Sequence, residues 1–254
     1  MYLFLKHQQQ KINMKPQKFT AKLTDKKVFN EKFSKYIFEM NHPHRIEFNA
    51  GQFVSIGVDD AGTRRSYSIC SNPSTHHNFE LLIDHDPNGV GTNFFKNLEF
   101  GAEVDVLGPM GEFILKDGDF AESSANNKEL VFIATGSGIA PFRSMILHLF
   151  QTQKEKRPVT LYWGLRYVKN MFWENEFQDL VEFYDNFKFH PVLSKATEEW
   201  SLCRGRVTNC LSIHDLPANG SYYLCGGSGM IEDVSKILQD RGIKKESIHF
   251  EKYF

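Results

Sequence analysis

Arg65-Ser66-Tyr67-Ser68 lies between the apolar run Phe53-Val54-Ser55-Ile56 and Ile69. Side chains alternate faces along a strand, so Arg65 and Tyr67 project to one side and Ser66 and Ser68 to the other. A guanidinium fork matches a diphosphate, and a phenol can stack on a planar ring. A dinucleotide with a large flat head satisfies both groups. An ordinary strand with a wet polar face satisfies the same pattern.

Three glycine-rich stretches add to it. Thr135-Gly136-Ser137-Gly138-Ile139-Ala140-Pro141 follows an apolar run and precedes a helical pattern. Glycines there let backbone approach a diphosphate at a helix start, and Pro141 suits a first helical turn. The spacing is G-x-G-x-x-P rather than the usual dinucleotide fingerprint, and a structural turn is the alternative. Asn88-Gly89-Val90-Gly91-Thr92-Asn93-Phe94-Phe95 is a second glycine loop leading into a short helix, which Thr92 could cap. A simple turn explains it equally well. Leu224-Cys225-Gly226-Gly227-Ser228-Gly229-Met230 ends a strand. Ligands of open parallel sheets sit beyond strand carboxyl ends, so Cys225 is placed to touch a ring; a buried inert thiol is the alternative.

Two kinds of element must position these groups. Residues 18–116 carry closely spaced strand-like runs, such as Phe79-Glu80-Leu81-Leu82-Ile83 and Glu103-Val104-Asp105-Val106-Leu107. Turn clusters at Asp59–Gly62, Ser71–Pro73 and Gly108–Gly111 separate them. That grammar predicts an antiparallel β-barrel. After the polar stretch Asp117–Glu129, strands alternate with helices. Strands are expected at Leu130–Ala134, Val159–Gly164, Phe187–Leu193 and Ser221–Cys225, and helices at Pro141–Phe150, Glu174–Val181 and Met230–Asp240. This alternation predicts a parallel α/β sheet. The expected architecture is a loose tail over 1–17, a barrel domain over 18–118 and a nucleotide-binding α/β domain over 128–254.

The 254 residues are 41% hydrophobic and 24% charged, with a net charge of −1, so no bulk field for nucleic acid or membrane is expected. Residues 1–45 nevertheless hold ten Lys/Arg against three Asp/Glu. That excess fits a solvated surface or a docking face for an acidic protein. No apolar run approaches the ~20 residues of a membrane span. Met14 could be the natural start. Cys70, Cys203, Cys210 and Cys225 form no metal-binding spacing, so reduced thiols in the cytoplasm are the simplest reading and no metal is expected.

Taken in order, these stretches resemble the plant-type ferredoxin–NADP(+) reductase family, over roughly residues 18–254. Arg65–Ser68 matches R-x-Y-S, Gly89–Thr92 the loop capping the FAD pyrophosphate, and Thr135–Pro141 the T-G-x-G-I-A-P motif. Tyr223–Met230 matches Y-x-C-G-x-x-x-M, and Glu251-Lys252-Tyr253-Phe254 an acidic–x–aromatic terminus. The resemblance implies that Arg65 holds the FAD diphosphate, Tyr67 packs on the isoalloxazine and Ser68 hydrogen-bonds near N5. It extends the FAD set to Ser66, Leu82, Ile83, Val90, Gly91, Thr135, Tyr253 and Phe254, the last against adenine. Cys225 and Glu251 would flank the hydride path, with Tyr253 over the flavin face.

For the nicotinamide nucleotide the resemblance implies Gly136, Ser137, Gly138, Gly226 and Met230. Ser194, Lys195, Arg206 and Arg166 would grip a 2′-phosphate, favouring NADPH. Trp200 followed by Gly205 also resembles NADH-using reductases. Ala50 stands where relatives carry Pro, which implies a slightly looser turn. The implied activity is electron transfer from NADPH to ferredoxin or flavodoxin, by a monomer. The alternatives are an NADH-dependent reductase serving an oxygenase or ferric carrier, and a non-catalytic nucleotide-binding subunit.

Overall fold

The computed structural model describes residues 15–86, 88–116 and 128–253. The first sheet contains β1 (Gln17–Val28), β2 (Phe33–His42), β3 (Phe53–Gly57), β4 (Arg64–Ser68), β5 (Asn78–Asp84) and β6 (Glu103–Met110), with α1 (Val90–Asn97) between the last two. The order is β4-β3-β6-β1-β2-β5, and each pairing is antiparallel. A bridge between Ile69 and Leu81 draws the two edge strands together, so the sheet nearly closes into a barrel. Alternation places Phe19, Ala21 and Leu23 of β1 in the core and leaves Lys18 and Lys22 exposed.

The second sheet contains β7 (Leu130–Thr135), β8 (Val159–Leu165), β9 (Phe187–Leu193), β10 (Cys203–Arg204), β11 (Ser221–Gly226) and β12 (Ile248–Lys252). Its helices are α2 (Ile139–Leu147), α3 (Glu174–Phe183), α4 (Val207–Ile213) and α5 (Ser228–Asp240). The order is β10-β9-β8-β7-β11-β12, with all pairings parallel. The near-continuous apolar run of β7 follows from burial on both faces. From β7 the chain winds outward to β10, then returns on the other side as β11. The carboxyl ends of β7 and β11 therefore flank the switch point where such sheets form a ligand crevice.

The barrel-then-α/β architecture agrees with the sequence reading. Three elements were not foreseen: β10, α4 and β12. Thr92 does not cap α1; it lies inside the helix, which starts earlier with Gly89 at its N-cap. The expectation of four reduced thiols is also corrected, because Cys203 and Cys210 are joined as a disulfide while Cys70 and Cys225 are free.

The two sheets share one core. Phe33, Leu82 and Phe113 pack in the same cluster as Phe132, Phe142 and Trp163. Arg143 of α2 fixes the relative position of the sheets. Its guanidinium donates to Glu80 Oε2 of β5 at 2.6 Å, to the Cys70 carbonyl at 2.8 Å and to Glu176 of α3 at 2.9 Å. Ser144 Oγ donates to the Ser71 carbonyl at 2.6 Å beside it. Buried charge is tolerated here because each carboxylate has a guanidinium partner.

Candidate functional site: the junction of the two sheets

β4 carries Arg65 and Tyr67 on one face, as alternation requires, and α1 lies against that face. A Cβ built on Gly91 would collide with the Tyr67 hydroxyl and lie 3.1 Å from Arg65 Cγ. Gly91 is thus the close-approach glycine that lets the second loop nest on the R-x-Y-S strand. Tyr67 meets Phe95 of α1 edge-on, with ring centroids 4.9 Å apart. Burial pushes its hydroxyl up to about 12, so the phenol stays neutral. Arg65 and Ser66 are exposed beside exposed Gly89 and Val90. Leu82 and Ile83 are 4% and 1% exposed, so their side chains serve the cores.

Ser68 ends β4 and reaches the second sheet. Its hydroxyl donates to Glu251 Oε2 at 3.3 Å across 183 residues, and Tyr253 OH donates to Ser68 Oγ. Glu251 lies opposite Cys225 in the β11–β12 pairing, and Tyr253 N donates to the Gly226 carbonyl at 2.9 Å. The Cys225 thiol is in hydrogen-bond contact with Tyr253. Four residues from three strand ends therefore meet at one point. Burial raises the Cys225 thiol well above its ordinary value, and the Glu251 charge adds to the effect. The sulfur stays protonated, which suits a compact filler rather than a nucleophile. Burial also pushes the Glu251 carboxyl up to about 7, while the Ser68 hydrogen bond opposes the shift.

The glycine loop after β7 has two distinct roles. A Cβ on Gly138 would strike the Cys225 carbonyl, so this glycine lets α2 start against β11. Gly136 has φ +56 and open space around its Cα, and Trp163 Nε1 donates to its carbonyl at 3.0 Å. Gly226, with φ +151, leaves no room for a Cβ beside Thr135 Oγ1 and the Met230 methyl.

From this point a cavity of about 550 Å³ runs along the carboxyl ends of the second sheet. Thr135, Gly136, Arg166, Ser194, Arg206 and Met230 all line it, which unites six of the expected residues. Lys195 does not line it; its backbone N–H bonds the Arg166 carbonyl and its side chain is exposed. Ser137, Gly138, Cys225 and Gly226 also lie outside the lining; Gly138 packs on Cys225 and Gly226, and Gly226 on Thr135, which lines the cavity. Phe254 falls outside the described residues.

Sequence reasoning missed Lys32, Asp86, Tyr167 and Asp233, which also line the cavity. Lys32 and Asp86 pair at 3.4 Å and come from the barrel side, so no local pattern could announce them. Asp233 sits one helical turn after Met230, a spacing that places both on one face.

Residues 20–114 match the oxidoreductase FAD-binding domain family and residues 132–236 the oxidoreductase NAD-binding domain family. A component of the Na(+)-translocating NADH-quinone reductase of Yersinia pseudotuberculosis is 31% identical over 218 residues, covering 80% of this chain and 51% of that protein. The anthranilate 1,2-dioxygenase electron transfer component of Acinetobacter baylyi is 29% identical, covering 84% of this chain and 60% of that protein. The chain thus spans about half the length of the curated relatives it matches.

Among solved structures, an Amycolatopsis cytochrome P450 reductase superposes with a TM-score of 0.82 at 27% identity, covering 93% of this chain and 70% of that one. A ferredoxin NADP+ reductase from Neisseria gonorrhoeae with bound FAD and NADP gives 0.77 at 22% identity, covering 93% and 99%, and shares the fold. With an FAD-binding near-barrel followed by an NAD-binding parallel sheet, the chain belongs to the ferredoxin reductase-like family of flavoprotein oxidoreductases.

Proposed function

We propose that the protein passes electrons from NADPH, through FAD, to a one-electron carrier protein. The observation that carries this reading is the meeting of Ser68 with Glu251, Tyr253 and Cys225 where the two sheets join. Bound FAD supplies two-electron acceptance and one-electron release. The residues supply the rest. The exposed Arg65 fork and the backbone around Gly89–Gly91 suit a diphosphate, and Tyr67 is half-buried beside them. Ser68 Oγ holds a proton at the junction. The small Cys225 and Gly226 leave space for close stacking, and Tyr253 shields the place from water.

The preference for NADPH rests on Arg166 and Arg206, two exposed guanidinia lining one cavity. Lys32 is already paired with Asp84 and Asp86, and Asp233 shares the lining with the two arginines. A second reading, NADH as donor to an oxygenase component or ferric carrier, is favoured by Asp233 in the lining and Lys195 outside it. The similarity to the NADH-quinone reductase component and to the dioxygenase electron transfer component fits that reading. The acceptor surface we assign to exposed Lys18, Lys22 and Lys27 of β1, where Lys22 also lies opposite Glu39 and Glu103; these cations suit an acidic carrier such as ferredoxin or flavodoxin.

The test is steady-state reduction of ferricyanide, and of cytochrome c with added ferredoxin or flavodoxin, by each nucleotide. Arg206→Ala should raise KM for NADPH about tenfold and leave NADH unchanged, as expected for a lost charged hydrogen bond. Equal or better turnover with NADH, with no effect of Arg206→Ala, overturns the NADPH assignment.

A further inference from the structure

The Cys203–Cys210 disulfide takes no part in the junction, yet it borders the nucleotide cavity. Cys203 lies on β10, beside β9, and Cys210 lies in α4. Their Cα atoms are 5.7 Å apart, within the range a disulfide spans. The bridge closes residues 204–209, which are Arg204-Gly205-Arg206 and the start of α4, into a short loop. Gly205, with φ +94, donates its N–H to the Leu193 carbonyl at 2.9 Å, and Arg206 N donates to Asn209 Oδ1 at 2.8 Å. Gly205, Arg206, Val207 and Thr208 all line the cavity. The cross-link therefore fixes the wall that would meet the ribose-phosphate end of a nicotinamide nucleotide.

The two sulfurs differ. Cys210 is 1% exposed, whereas Cys203 is half-buried. Cys210 Sγ lies 3.6 Å from His214 Nδ1. The pair thus joins a partly exposed residue to a buried one whose sulfur has an imidazole beside it. Thiol–disulfide exchange requires an accessible sulfur to attack and a stabilised leaving thiolate.

We propose that Cys203–Cys210 is a thiol–disulfide exchange site that sets the affinity of the adjacent cavity for its nucleotide. This rests on the reading of that cavity as the NAD(P)H site. A dithiol reductant attacks Cys203 Sγ; a sulfur–sulfur bond forms to the reductant and the Cys203–Cys210 bond breaks. The electron pair leaves on Cys210 Sγ, beside His214, which is placed to relay a proton from water. The reductant's second thiolate then attacks the reductant sulfur of the mixed disulfide and releases Cys203 as a thiolate, which takes a proton from water. In balance, two electrons pass from the dithiol to the pair, giving two protein thiols and an oxidised reductant. Opening the bridge removes the covalent tie between β10 and α4 and leaves the Arg204–Arg206 loop held by hydrogen bonds alone, so the dithiol form has a looser cavity wall and binds nucleotide more weakly.

The experiment uses the full-length FAD-loaded protein, before and after treatment with dithiothreitol. Iodoacetamide labelling with peptide mass analysis reads the thiols, and fluorescence titration with NADPH and with NADH reads affinity in the same samples. The expected result is labelling of Cys203 and Cys210 only after reduction, with Cys203 faster. Nucleotide Kd should rise about tenfold on reduction, a usual size of coupling, and return on reoxidation. Cys203→Ser should show the reduced-form Kd in both conditions, and the wild-type cycle stands as the test should that variant misfold. Identical Kd in both redox states overturns the coupling. Labelling of both cysteines before reduction overturns the disulfide. Zinc recovered one-to-one, with Cys203, Cys210 and His214 as its ligands, replaces it with a metal site. Exchange without nucleotide binding in either state refutes the cavity reading and the coupling with it, and leaves the exchange chemistry standing.

Discussion

Glu251 is poised to change charge near neutral pH, and that makes its substitution informative in two ways. Burial takes its carboxyl from 4.5 up to about 7. At ~1.4 kcal/mol per pKa unit this is roughly 3 kcal/mol, an upper figure because the side chain is only half-buried. The folded chain keeps a proton that the unfolded chain releases between pH 4.5 and about 7. Stability therefore falls as pH rises through that window, and the contribution is fully present only below pH 4.5. Glu251→Gln removes this dependence. Urea unfolding should show equal stability at the acid end and a variant about 2 kcal/mol more stable above neutrality. Activity should run the opposite way. A nicotinamide gains positive charge as it gives up hydride, so the carboxylate form favours transfer. Anaerobic stopped-flow bleaching of the flavin absorbance by NADPH should speed up through pH 7 in the wild type. The variant should stay on the low-pH plateau, about tenfold slower above neutrality, equivalent to ~1.4 kcal/mol. An inflection that survives in Glu251→Gln, or a variant with no stability gain at high pH, rules out this role for the Glu251 carboxyl.

Other outcomes follow from the same geometry. Gly91→Ala places a methyl against Tyr67 and Arg65, so the purified variant should carry substoichiometric FAD while far-UV circular dichroism is unchanged. Arg143→Met leaves Glu176 without its guanidinium and Glu80 with Lys35 alone, and should cost about 2–3 kcal/mol in chemical unfolding. Triple substitution of Lys18, Lys22 and Lys27 by Gln should raise KM for an acidic carrier protein, reduce its salt dependence and leave ferricyanide reduction unchanged.

Much of the fold was legible because single-residue choices repeat with a clear period. Phe19, Ala21 and Leu23 alternate with polar neighbours, whereas Leu130–Ala134 is apolar throughout, and that difference separates a half-wet antiparallel sheet from a buried parallel one. What stayed hidden has identifiable causes. Val207–Ile213 contains Thr, Asn, Cys and Ser, poor helix formers, and α4 starts with help from Asn209, which bonds back to Arg206 N. β12 is half-exposed, with Phe250 at 52%, so burial gives it little apolar signal. In the site, Arg65 and Tyr67 could be assigned to one face from alternation alone. The meeting of Ser68 with Glu251 is a tertiary fact, carried by family motif order rather than by local pattern. Cys203 and Cys210 lie seven apart in the chain, a spacing that reports nothing about the turn that brings their sulfurs together.

Ser68, Cys225, Glu251 and Tyr253 are proposed to form the place where a nicotinamide meets FAD. The most direct measurement is single-turnover reduction of the FAD-loaded protein by NADPH without oxygen, in wild type and in Ser68→Ala/Cys225→Ala. FAD content and nucleotide Kd are determined on the same samples. Rapid bleaching is expected in the wild type and a rate at least about a hundredfold lower in the double variant, with FAD stoichiometry and Kd nearly unchanged. Equal bleaching rates in the two proteins, or a wild type that holds FAD which NADPH and NADH both fail to bleach, would contradict this placement.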